Sequence, residues 1–118
     1  MKTILVVEDD PDVLAYVEDA LAEQGYRVVT APDGRQGLAA LALVHADLII
    51  CDIRMPALDG RKMCHIVRAN PAYQDVPIVL MSGGNEAVRR QFANARYLDK
   101  PFATSRLLDT VGALLGAA

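Results

Sequence analysis

The chain has 118 residues, a net charge of −3 and a pI near 5.2, with 53% hydrophobic and 23% charged side chains. This suits one domain that buries its own core, and it excludes a disordered chain. It also argues against bare electrostatic binding to nucleic acid or anionic lipid. Ile4 to Val7 are too few for a secretory core, and the longest apolar stretch, Leu38 to Val44, is too short to span a bilayer. A single soluble, cytoplasmic domain over residues 1–118 is therefore expected. Cys51 and Cys64 have no CxxC or Cys/His neighbours and read as reduced packing residues.

Ile4–Val7 is predicted as a buried strand ending in Glu8-Asp9-Asp10. Asp10 is placed to cap a helix with Pro11 at its first position. Val13, Leu14, Val17 and Leu21 share one face of that helix, and Gly25 is its stop signal. Arg27–Thr30 is β-branched enough for a second strand. Asp33-Gly34 opens a helix to about His45, with Leu38, Leu41 and Val44 at helical spacing. Leu48–Cys51 is a third, continuously apolar strand ending at Asp52. A loop with Pro56 and Asp59-Gly60 leads to a helix expected to turn Met63, Ile66 and Val67 inward and to end at Asn70-Pro71. Ile78–Met81 is a fourth strand, stopping at Ser82-Gly83-Gly84. A short helix near Glu86 to Phe92 precedes a brief fifth strand, Arg96–Asp99, and Lys100-Pro101. Thr104 or Ser105 is expected to cap a last helix with the apolar stripe Leu107, Leu108, Val111, Leu114 and Leu115.

Five βα units with nearly continuous apolar strands imply an α/β fold: a doubly wound five-stranded parallel sheet, helices on both faces, flavodoxin-like. Order 2-1-3-4-5 suits five strands, and ligands then bind beyond the carboxyl ends of strands one and three. Those ends carry Glu8, Asp9 and Asp52, while Ser82 and Lys100 lie on the same edge. Three close carboxylates repel, and a divalent cation relieves this; an all-oxygen set favours Mg²⁺, Mn²⁺ or Ca²⁺ over zinc. A metal beside a free carboxylate suits phosphoryl transfer, with a lysine and a hydroxyl for the phosphoryl oxygens.

The chain resembles the receiver domain of two-component response regulators, in particular chemotaxis-regulator-like ones, over essentially its whole length. The resemblance rests on Ile4-Leu5-Val6-Val7-Glu8-Asp9-Asp10 and Asp52-Ile53-Arg54-Met55-Pro56-Ala57-Leu58-Asp59-Gly60. It continues in Val79-Leu80-Met81-Ser82-Gly83 and Tyr97-Leu98-Asp99-Lys100-Pro101-Phe102, in that order and spacing. It implies that Asp52 accepts a phosphoryl group from a histidine kinase or phosphotransfer protein. Asp9, Asp52 and the backbone carbonyl of Arg54 would hold Mg²⁺ (or Mn²⁺), and Glu8 would act through a metal-bound water. Lys100 would pair with the phosphoryl group, across a bond to Pro101 that is cis in most relatives. Ser82 and Tyr97 would carry the change in partner binding. Such a domain catalyses its own phosphorylation and dephosphorylation and is not a turnover enzyme. Its output partner is unspecified, and it either stands alone, acting by docking, or forms part of a longer chain.

The spacing departs from the family at one place. Ser82 and Lys100 are 18 positions apart, about one helical turn fewer than usual, which shortens the fourth helix region and puts the standard output face in doubt. Asn94-Ala95 also replaces the usual Gly-Ala. His45 and His65 are isolated from other ligands, and Arg89, Arg90 and Arg96 read as a solvated surface. Two rivals belong to other classes. A phosphorylation-independent pseudo-receiver, an interaction module, would be expected to lack the acceptor or the lysine. A flavodoxin-like cofactor binder would need a phosphate-cradling loop where Glu8-Asp9-Asp10-Pro11 stands.

Overall fold

The computed structural model describes residues 1–55, 58–83 and 95–116. Five strands, β1 (Thr3–Val7), β2 (Arg27–Ala31), β3 (Leu48–Asp52), β4 (Ile78–Gly83) and β5 (Ala95–Lys100), form one sheet in the order β2-β1-β3-β4-β5. Every adjacent pair is parallel. The expected fold and strand order are therefore found. β1 and β3 are buried at every residue, because helices cover both of their faces.

Among the described residues, four α-helices connect or flank the strands: α1 (Pro11–Glu23), α2 (Gly34–Leu43), α3 (Gly60–Ala69) and α4 (Thr104–Leu115). Side chains alternate along each strand, so Ile4, Val6, Leu48, Ile50, Val79, Met81 and Leu98 meet α1 and α4 on one face. Leu5, Val7, Ile49, Cys51, Ile78 and Leu80 meet α2 and α3 on the other. The Asp10 carboxylate accepts from the Asp12 and Val13 amides and starts α1, with Pro11 first in the helix. Asp33 and Asp59 start α2 and α3 in the same way.

Three local expectations are corrected. Ile66 faces outward, 47% exposed, because Gly60, Met63, Cys64 and Val67 form the buried stripe of α3 and residue 66 falls outside it. Neither Thr104 nor Ser105 caps α4: the cap position is Ala103, which makes no side-chain capping bond, and the Thr104 hydroxyl meets Tyr16 instead. The second helix ends at Leu43, with Val44 already extended. The short helix near Glu86 to Phe92, Arg89, Arg90 and the shortened region lie outside the described residues.

Candidate functional site

Parallel register brings the strand ends to one edge. Val7 is level with Cys51, so the next residues, Glu8 just past β1 and Asp52 at the end of β3, stand side by side at the sheet edge. Glu8 is 1% exposed and Asp52 is 6% exposed, whereas Asp9 stands in solvent. Carboxylate oxygens of Glu8, Asp9 and Asp52 all lie within 4.8 Å of one another. Lys100 reaches them from the end of β5, donating from Nζ to Glu8 Oε1 at 2.6 Å and standing 3.4 Å from Asp52 Oδ1. The Glu8 Oε2 atom accepts from the Asp10 amide at 3.0 Å.

Burial dominates the electrostatics of this cluster. It pushes Glu8 up from its ordinary 4.5 to about 7, partly offset by the Lys100 bond. The Asp52 pKa is raised by the same cause, again against the pull of Lys100. Burial also opposes the Lys100 charge, but bonds and attraction to Glu8 and Asp52 outweigh it, and the ammonium holds its proton more tightly than usual.

The backbone around Asp52 is fixed by α3. The Gly60 amide donates to Ile53 O at 2.9 Å, and a Cβ at Gly60 would sit 2.3 Å from the Asp52 carbonyl oxygen. Only glycine allows the helix start to lie this close. Beside Asp9 opens a cavity of about 350 Å³ lined by Ile53, Arg54, Met55, Asp59 and Arg61. Asp59 and Arg61 were not singled out as site residues from the sequence. Both flank Gly60 at the start of α3, where the loop after Asp52 returns.

Ser82, 1% exposed, donates from Oγ to Asp99 Oδ1 at 3.5 Å, its level neighbour on β5. Asp99 was missed as a Ser82 partner, although strand register from Lys100 would have located it. Tyr97 is half-buried on the α2/α3 face, level with Leu80. The structure thus gathers Glu8, Asp9, Asp52 and Lys100 into one cluster, places Arg54 on the adjoining cavity and Ser82 on the neighbouring strand end, and sets Tyr97 among apolar side chains. His45 pairs with Asp47 at 3.4 Å before β3 begins, away from these strand ends. Cys51 and Cys64 are buried and unbridged, and burial raises both thiol pKa values. Among the described residues no helix is long and apolar enough to cross a membrane.

A family model for the response regulator receiver domain matches residues 4–112. The chain is 32% identical over 114 residues to protein PilG of Pseudomonas aeruginosa, covering 93% of this chain and 84% of PilG. It is 38% identical over 116 residues to the transcriptional regulatory protein PrrA of Mycobacterium tuberculosis, covering 95% of this chain and 49% of PrrA. The chain thus spans about half the length of such regulators. Chemotaxis protein CheY4 of Vibrio cholerae superimposes with a TM-score of 0.91 at 31% identity, covering 98% of this chain and 99% of CheY4. Response regulator TrrA of Thermotoga maritima, solved in complex with Mg²⁺-BeF, gives 0.87 at 31% identity, covering 98% and 100%. With a match over nearly its full length and this cluster at its strand ends, the chain belongs to the response regulator receiver domain family of two-component signalling.

Proposed function

We propose that this domain is a phosphoacceptor switch in a phosphorelay, with Asp52 as the acceptor. The observation that carries the reading is the buried Asp52 carboxylate, 3.4 Å from Lys100 Nζ and inside a cluster of three acids. In the reaction an Asp52 oxygen forms a bond to phosphorus. The bond from phosphorus to the imidazole nitrogen of a phosphohistidine breaks, and the electron pair stays on that nitrogen. The donor belongs to a histidine kinase or a phosphotransfer protein; in solution a small phosphodonor replaces it. Lys100 pairs with a phosphoryl oxygen, and the Ser82 hydroxyl turns from Asp99 to donate to another.

Three clustered carboxylates offer the hard oxygen donors that Mg²⁺ or Mn²⁺ takes. Asp9, Asp52 and the Arg54 backbone carbonyl would hold the ion, with Glu8 acting through a water. When bound, it supplies positive charge against the phosphoryl oxygens. Water later hydrolyses the aspartyl phosphate, so the protein is its own substrate and not a turnover enzyme. Phosphorylation biases a two-state equilibrium in which Ser82 and Tyr97 change place, and an output protein or domain reads the shift. The setting is the cytoplasm, and this segment makes no nucleic-acid or membrane contact of its own.

The test is intact-mass analysis after incubation with acetyl phosphate and Mg²⁺. One added phosphoryl group that requires metal and is lost in Asp52→Asn is the expected result. No adduct, together with no spectral change on adding beryllofluoride, would overturn the reading in favour of a phosphorylation-independent pseudo-receiver.

A further inference from the structure

We infer that Tyr16, on the exposed side of α1, is a positioning residue for Lys100, acting through the turn that follows β5. The inference rests on the proposed role of Lys100. The amino end of α4 has no side-chain cap. The first amides of a helix need acceptors, and Ala103 at the cap position has no side-chain oxygen to offer. The segment leading into α4 is held from outside. Tyr16 Oη lies 2.6 Å from Thr104 Oγ1 and 3.5 Å from the Phe102 carbonyl oxygen. A tyrosine hydroxyl that accepts from Thr104 and donates to Phe102 satisfies both contacts. The Tyr16 and Phe102 rings also meet, with centroids 6.2 Å apart and planes tilted by 48°.

These contacts bracket Lys100. On its amino side it is fixed by the β4–β5 ladder, level with Gly83. On its carboxyl side only Pro101 separates it from Phe102, which Tyr16 grips. Between the two, Val13, Tyr16, Lys100, Pro101 and Phe102 line an open cavity of about 500 Å³. The lysine stem therefore borders open space as well as core, and close packing alone does not confine it. Tyr16 and Glu8 lie on consecutive stretches of chain, so the grip on Phe102 and the bond from Lys100 Nζ to Glu8 Oε1 brace the same two segments. Releasing the grip lets the ammonium leave Glu8. Because that ammonium competes with a cation for the Glu8 carboxylate, its release strengthens metal binding while slowing phosphorylation. A residue that merely stabilised the fold would weaken both.

The experiment uses Tyr16→Phe, Tyr16→Ala and Thr104→Val, each alone and combined with Lys100→Ala. Mg²⁺ affinity is read by calorimetry, phosphorylation by acetyl phosphate by intact mass, and folding by thermal melting. Losing one or two neutral hydrogen bonds predicts phosphorylation about threefold slower in Tyr16→Phe, with a larger loss in Tyr16→Ala. Both should bind Mg²⁺ more tightly than the parent chain, and neither should alter Mg²⁺ affinity further once Lys100 is alanine. Equal changes in Mg²⁺ affinity with and without Lys100, or no change in affinity or rate, would overturn the inference. If Tyr16→Ala does not fold, Tyr16→Phe and Thr104→Val give the same comparison. Wild-type phosphorylation in Lys100→Ala would refute the proposed role of Lys100, whereas the affinity comparison still reports whether Tyr16 acts on it.

Discussion

The metal-free protein should lose stability as pH rises through the neutral range, and Glu8 should be the main cause. Glu8 is buried, and its pKa rises from 4.5 to about 7 on folding, first through burial and then through repulsion from Asp52. Between those values the folded protein holds a proton that the unfolded chain has released, so raising the pH favours unfolding. At about 1.4 kcal/mol per unit, a fully ionised Glu8 costs the fold about 3 kcal/mol, of which about 2 kcal/mol accrues between pH 5.5 and 8. For a domain of this size that is a fall in Tm of about 8 °C. The raised pKa of Asp52 adds a contribution of the same sign. Glu8→Gln keeps the shape and an oxygen for Lys100 but removes the titration, so most of the slope should vanish. The assay is thermal melting in chelator from pH 5.5 to 8, for both proteins. Stability that is flat or rising in the parent chain, or an equal slope in Glu8→Gln, would refute this account.

Gly60→Ala puts a methyl group 2.3 Å from the Asp52 carbonyl oxygen and should cost about 2 kcal/mol or more, with phosphorylation of Asp52 slowed at least about tenfold. A urea melt and a mass time course check both. Arg68 Nη1 bonds the carbonyls of Tyr73, Gln74 and Val76, at 3.3, 3.1 and 2.7 Å. Arg68→Met should lower stability by about 1–3 kcal/mol in the same urea melt, with Mg²⁺-dependent phosphorylation retained. Tyr97→Ala should still accept a phosphoryl group, but its affinity for an output partner should no longer respond to beryllofluoride; an unchanged response in a binding titration would remove Tyr97 from the proposed coupling.

The sheet was legible because a parallel strand buried on both faces must be apolar throughout, and Ile4–Val7, Leu48–Cys51 and Ile78–Met81 are. The acids could be placed because strand ends in this topology share an edge. Distances within the cluster were not legible: the 2.6 Å bond from Lys100 to Glu8 joins residues 92 positions apart. The error at Thr104 has a physical origin as well. Threonine has an intrinsic preference for capping, but Tyr16 is a tertiary partner that no local pattern reveals. At Ile66 the helical period was correct in kind, but its phase was set by Gly60 against Asp52, a contact between segments.

The same long-range bond makes completion of the acid cluster depend on the edge strand β5. The ends of β1 and β3 supply Glu8, Asp9 and Asp52, whereas the ammonium that faces them comes from β5. Without β5 the Glu8 and Asp52 carboxyls would lose the pull of Lys100, and burial and mutual repulsion would hold their protons on more strongly. An ionised acid cluster and a completed sheet therefore go together in this chain.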